Sequence, residues 1–369
     1  MTDIELTDPD RYFLRAKKPY KSKELEMSRF ELGNTGIVMD KKMGFGALPI
    51  QRIPKEDAAY LLRKAYDNGF RYFDTARAYS DSEEKLGYAF DGMREKVYIA
   101  TKTMATTAEG FWKDLEMSLK MLRTDYIDLY QFHNPAFCPK PGGEDGLYDA
   151  MLEAKAQGKV RHIGITNHRL AVAQEAIDSG LYETLQFPFS YLSGEPEMKL
   201  VEGCREKGMG FVAMKSLAGG LINNGYIASA FMYTQDIVLP IWGVQRENEL
   251  DEFIDCLKNG SPMTDEFKAV IEKDRAELSG TFCRGCGYCM PCPVDISIRD
   301  CARMSLMLRR APSASWLTDK WQQEMHKIEN CIHCYSCASK CPYGLDTPEV
   351  LQANYQDYWK FLEAFKAGK

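Results

Sequence analysis

The chain has 369 residues, of which 45% are hydrophobic and 27% charged, with a formal net charge of −6. That composition provides for a sizeable core in two or three domains, or in one large α/β barrel with an appendage. A negative balance leaves no footprint for nucleic acid, and the longest apolar run, "IVLPIWGV" at 237–244, is far too short to span a bilayer.

The start, "MTDIELTDPDRYF", is acidic and has no apolar core, so no signal peptide and a cytoplasmic location are expected. Residues 1–28 read as an N-terminal extension. In a reducing compartment, twelve cysteines point to metal ligands before disulfides.

From about residue 43 to 242, short apolar runs alternate with amphipathic stretches. The runs are "MGFGALPI", "FRYFDTA", "VYIATKT", "YIDLYQFH", "VRHIGIT", "LQFPFS", "GFVAMK" and "IVLPIWG". Between them lie segments such as "KEDAAYLLRKAYDNG", apolar at helical spacing and stopped by glycine. Eight such units predict a parallel sheet closed into a (β/α)8 TIM barrel. The competing fold is an open doubly wound sheet, but no G-x-G-x-x-G follows the first strand.

Chemistry in such barrels sits where strands end and loops begin. Those positions carry Asp74 and Tyr79 after the second strand, Lys102 on the third, and His133 on the fourth. Thr166 and Asn167 follow the fifth, and Gln186 lies in the sixth. Each alone reads as a surface charge or a satisfied rim residue. Polar groups at the same end of five successive strands are a constellation.

"FDTARAYSDSEEKLGYAF" resembles the signature of the aldo-keto reductase family, in which a Tyr follows an Asp by five residues. "YIATKT", "DYIDLYQFHNP", "GKVRHIGITN" and "LQFPFS" resemble that family's later motifs in order. "FELGNTGIVMDKKMGFGA" resembles its opening hairpin, which closes the barrel floor. The resemblance covers roughly residues 29–258 and implies hydride exchange between a nicotinamide and a carbonyl or alcohol.

It also implies roles. Tyr79 would donate a proton to the carbonyl oxygen, or take one from the alcohol. A free tyrosine, with a pKa near 10, does this poorly, and a neighbouring ammonium corrects it by favouring the phenolate. Lys102 would be that ammonium, Asp74 would hold it charged, and His133 would orient the substrate oxygen. Thr166, Asn167 and Gln186 would hold the carboxamide of the nicotinamide. Ser216, Leu217 and Gly219 in "MKSLAGG" would lie along the pyrophosphate. Arg246 would meet the 2′-phosphate of NADP(H), although the family's usual Lys-Ser pair is missing there and NAD(H) stays open. Met214 stands where many members stack an aromatic ring.

Eight cysteines form two quartets near the end of the chain. Cys331, Cys334, Cys337 and Cys341 follow C-x2-C-x2-C-x3-C-P, the spacing of bacterial [4Fe–4S] ligation. Cys283, Cys286, Cys289 and Cys292 differ by one residue, which makes Cys301 a substitute to watch for Cys292. In such runs the fourth Cys commonly serves the other cluster. Helical sequence separates the quartets, so the segment resembles a small α-helical ferredoxin-like domain with two [4Fe–4S] clusters. Zinc is the competing metal. The expected domains are 1–28, the barrel at 29–275 and the iron–sulfur domain at 276–369.

Two functions follow as alternatives. One is an oxidoreductase acting on a small carbonyl or alcohol, its clusters serving electron transfer to or from a one-electron protein partner, or pegging a small fold. The other is a non-catalytic nucleotide-binding redox sensor or partner subunit. The intact Asp74, Tyr79, Lys102 and His133 set favours the enzyme.

Overall fold

The computed structural model describes residues 29–278, 282–310 and 313–368. The expected N-terminal extension, 1–28, lies outside the described residues. Strands β1 (Phe30–Glu31) and β2 (Val38–Met39) pair antiparallel. Eight further strands follow: β3 (Gly44–Gly46), β4 (Tyr72–Asp74), β5 (Tyr98–Thr103), β6 (Ile127–His133), β7 (Val160–Thr166), β8 (Thr184–Pro188), β9 (Gly210–Met214) and β10 (Val238–Gly243). They form a closed barrel, each parallel to its neighbour, with β10 returning to pair with β3. That closure removes the open-sheet alternative.

Helices follow the apolar spacing. Helix α1 (Lys55–Asp67) buries Ala58, Leu61, Leu62 and Ala65, one face at intervals of three and four residues. Its chain then turns at Gly69, whose φ of 101° suits glycine. Helix α2 (Glu247–Asn259) buries Leu250, Phe253, Ile254 and Leu257 in the same way.

The hairpin residues Phe30, Leu32, Ile37 and Met39 share one apolar cluster with Tyr72, Leu129, Val212 and Leu239 of the barrel. Gly33 makes this possible. It has a φ of 56°, and a Cβ there would lie 2.3 Å from the backbone nitrogen of Gly210. Next to it, the Asn34 N–H donates to Gly208 O at 2.8 Å. Because the obstacle is backbone, Gly33→Ala should destabilise the barrel by about 2 kcal/mol, read from urea denaturation at unchanged slope.

At the opposite end the register sets the polar residues level. Lys102 pairs with Gln131, His133 with Thr166, and Thr166 with Gln186. Side chains two apart on one strand share a face, so Gln131 and His133 on β6 point the same way.

Two compact units result. The first comprises the described residues up to Ser216 together with Gly225–Ile271; the second comprises Leu217–Asn224 together with the described residues from Glu272 on. The second is helical, and includes α3 (Met304–Arg310) and α4 (Thr347–Lys366). Its core holds Ile298, Met304, Leu308, Met325, Leu351 and Tyr358, with five of the quartet cysteines packed on its edge. Asn354 of α4 is buried and satisfied: its amide donates to Ala302 O and Val350 O and accepts from Ser305 N. Among the described residues no helix is long and apolar enough to cross a membrane.

Candidate active site and cluster-binding loops

The tetrad residues converge. Lys102 is fully buried, and its Nζ donates to Asp74 Oδ1 at 2.7 Å and to Thr75 O at 2.6 Å. Burial pushes the lysine below its usual value, opposed by Asp74; the same burial pushes the Asp74 carboxyl up, opposed chiefly by Lys102. Close contact and the added carbonyl acceptor hold the pair ionic against that desolvation. Tyr79 stands in the turn after β4, half-buried. Lys102 Nζ lies 5.4 Å from the centre of its ring, and the His133 ring meets it edge-on with centroids 5.7 Å apart.

His133 is neutral. Burial first, and then the Lys102 charge, pushes its pKa down to about 3. Its buried Nδ1 has no hydrogen-bond partner among the described residues, and neither do Asp74 Oδ2 and Gln131 Oε1. Orphaned polar atoms at one barrel mouth suit a polar ligand. The linkage has a definite sign. Unfolded His133 gains a proton near pH 6.5 while the folded form resists it to about 3. Its contribution to stability is therefore complete above pH 6.5 and is lost as pH falls towards 3, at about 1.4 kcal/mol per pH unit. His133→Gln should flatten the acid limb of the stability curve by that slope. Parallel limbs in a denaturation series at several pH values would refute it.

The proposed carboxamide holders sit at the same level, all buried. Gln186 accepts from Gln131 Nε2 at 2.9 Å and donates to Asp74 Oδ1 at 3.4 Å, an amide relay ending on the carboxylate. Sequence reading passed over Gln131, although its place two residues before His133 marks it. Asn167 is largely occupied. Its Oδ1 accepts from His168 N and Arg169 N in the turn before the helix Leu170–Ser179, and its Nδ2 donates to Pro135 O. His168, buried and held neutral by desolvation, was also missed; a histidine beside a turn signal gives no warning in sequence.

After β9 the backbone turns sharply. Lys215, Ala218, Gly219 and Gly220 all have positive φ, from 49° to 93°. Two of them are not glycine, and such conformations cluster at functional sites. Ser216 Oγ donates to Ala213 O at 3.1 Å, leaving its lone pairs open. Arg246 precedes α2, exposed, with its Nη1 3.7 Å from Glu249 Oε1. The Glu249 carboxylate also accepts from the Gln245 and Arg246 N–H groups, so this helix start already holds an anionic cap.

The cysteine loops repeat one geometry. Cys286 lies between Gly285 and Gly287, and Cys334 between His333 and Tyr335, all four flanking residues with positive φ. The first quartet meets that demand with glycine and the second with larger residues. Cys289, Cys292, Cys331, Cys334 and Cys337 line one cavity with apolar walls that include Ile296 and Leu351. Burial pushes the Cys283 and Cys289 thiols up, and neighbouring cysteines add to this, Cys286 and Cys341 for Cys283, and Cys283, Cys286 and Cys337 for Cys289. Cys301 is elsewhere. It is fully buried and its thiol lies against Glu324 O. Among the described residues no three His, Cys, Asp or Glu side chains are grouped so as to hold a single metal ion.

A closed parallel barrel with polar groups at the C-terminal ends of its strands is an enzyme architecture. The aldo/keto reductase family matches residues 42–236, and a 4Fe-4S dicluster domain matches residues 282–346. The chain belongs to the aldo/keto reductase family and carries a C-terminal 4Fe-4S dicluster domain. It is 30% identical over 236 residues to the uncharacterized oxidoreductase YrpG of Bacillus subtilis, covering 56% of this chain and 67% of that one. It is 29% identical over 210 residues to L-galactose dehydrogenase of Arabidopsis thaliana, covering 52% and 66%. Among solved structures, aldo-keto reductase AKR11C1 from Bacillus halodurans aligns with a TM-score of 0.59 at 21% identity, over 67% of this chain and 96% of that one.

Proposed function

We propose that the chain reduces a small carbonyl compound, or oxidises the matching alcohol, with NADP(H) or NAD(H), using a barrel at 29–275 and a cluster domain at 276–369. The convergence of Tyr79 with the buried Lys102–Asp74 pair and neutral His133 carries this reading. A bound nicotinamide supplies or accepts hydride. Tyr79 gives its hydroxyl proton to the carbonyl oxygen as charge develops there, and Lys102 stabilises the phenolate left behind. His133, neutral, can donate one N–H to the same oxygen and fix its direction. The buried amides of Gln186 and Gln131 keep Asp74 on Lys102. Thr166, Asn167, Gln186, Ser216, Leu217, Gly219 and Arg246 are the chain's candidates for holding the nucleotide.

In the cluster domain, Cys283, Cys286, Cys289 and Cys341 would hold one [4Fe–4S] cluster, and Cys331, Cys334, Cys337 and Cys292 the other. Bound clusters supply one-electron transfer and a covalent brace for a small fold.

The likeness to L-galactose dehydrogenase makes sugars a sensible part of the substrate screen. Anaerobic protein should oxidise NADPH or NADH in the presence of some member of a panel of aldehydes, ketones and quinones, followed at 340 nm. No turnover with any member, in either direction and with either nucleotide, would overturn the proposal.

A further inference from the structure

The loop Leu217–Asn224, proposed above to lie along the pyrophosphate, groups with the cysteine domain. The bonds that fix it there are specific. Arg303 Nη1 donates to Gly219 O at 2.7 Å, Arg310 Nε donates to Leu221 O at 2.8 Å, and Asn223 Nδ2 donates to Arg310 O at 3.2 Å. Arg310 is anchored in turn by Asp274 and Glu277.

Arg303 differs from Arg310 in lacking any carboxylate partner within ion-pair distance among the described residues, and it sits between two glycines. A Cβ on Gly219 would lie 2.7 Å from its Nη1, and one on Gly285 would lie 2.8 Å from the same atom. Gly285 belongs to the first cysteine loop, and its N–H donates to Cys283 Sγ at 3.4 Å. The Arg303 Nε is buried and has no hydrogen-bond partner among the described residues. One guanidinium thus touches the loop that holds Cys283 and Cys286, and also grips a carbonyl of the candidate pyrophosphate loop.

We propose that Arg303 is a positioning residue that couples the cluster held by Cys283, Cys286, Cys289 and Cys341 to nucleotide affinity through Gly219. This rests on the nicotinamide reading above. Adding one electron to the cluster adds negative charge beside the guanidinium, which draws it away from Gly219 O and repels a pyrophosphate in the loop. The oxidised protein therefore binds nucleotide more tightly than the reduced one. By linkage, bound nucleotide makes that cluster harder to reduce by the same factor.

The test uses the intact anaerobic protein and two redox-inert probes that keep the pyrophosphate, 2′-phospho-ADP-ribose and ADP-ribose. Cluster potentials are measured by EPR-monitored dithionite titration with and without saturating probe, and affinity for the oxidised form by calorimetry. A tenfold coupling lowers the potential of one cluster by about 59 mV and leaves the other unmoved. Arg303→Met should weaken probe binding about tenfold and abolish the shift while iron and sulfide content is kept; Arg303→Lys, which retains the charge, should keep part of the shift. Unmoved potentials in the wild type, equal shifts in both clusters, or undiminished binding by Arg303→Met would overturn the coupling. The wild-type potentials decide the matter even if Arg303→Met fails to fold. If neither probe nor NADPH nor NADH binds the wild type, the nicotinamide reading itself fails.

Discussion

Tyr79→Phe should lower kcat by about two to four orders of magnitude and leave nicotinamide affinity nearly unchanged. Only the hydroxyl is removed. The ring stays edge-on to His133 and within 5.4 Å of the Lys102 ammonium, so the shape of the site is kept. The fall should appear equally in kcat and kcat/KM, because the lost proton transfer belongs to the transition state. Lys102→Met should slow turnover in the same way, but it is the less clean variant. It strips Asp74, a carboxylate already burdened by burial, of its one cationic partner among the described residues, so a stability loss of about 3–5 kcal/mol should accompany the kinetic one. Steady-state kinetics with equilibrium nucleotide titration separates the two. Near-normal turnover by Tyr79→Phe on a carbonyl the wild type reduces would remove Tyr79 from the chemistry.

Much of the barrel was legible because its signals are local. Seven of the eight apolar runs contain the strand they predict, β8 alone starting one residue before its run at Thr184, and the glycine stops fall after the helices. The site positions at strand ends were legible through the same periodicity, since an end of a strand in this fold is a place and not merely a residue. What escaped was information carried between distant segments. Gln131 matters because a side chain 55 residues away accepts its hydrogen bond. The grouping of Leu217–Asn224 with the cysteine domain depends on Arg303 and Arg310, which meet Gly219 and Leu221 across 84 and 89 residues. No periodicity announces such pairs. Asn167 shows the converse, where a local rule was in view and went unused. An Asn in a short turn between strand and helix is a candidate for an Asx turn, and its oxygen is committed to backbone N–H groups of His168 and Arg169.

Cys292→Ser should cost the cluster of the other motif. Spacing alone left its role open, since the first quartet is one residue short, and Cys301 stood nearby as a rival. The cavity that Cys292 lines is shared with Cys289, Cys331, Cys334 and Cys337, whereas the Cys301 thiol is packed against Glu324 O in the core. Anaerobic wild type should hold about eight irons and eight acid-labile sulfides per chain. Cys292→Ser and Cys334→Ser should each fall to about four of both, losing the same EPR signal, while Cys301→Ser keeps all eight. Cys341→Ser should remove the other signal, because the fourth Cys of such a run commonly serves the other cluster. Stoichiometric zinc without labile sulfide would end the iron–sulfur assignment, and iron loss in Cys301→Ser with retention in Cys292→Ser would reverse the ligand choice. The same variants divide relay from brace. A cluster that only braces the fold gives variants with lower melting temperature and unchanged carbonyl reduction by NADPH and by a one-electron donor. A cluster that relays electrons gives variants that lose the donor-driven activity alone. Because Cys334 is the exposed member of its set and Cys283 is buried, the cluster of Cys334 is the one that an external carrier can approach, and Cys334→Ser should show the loss first.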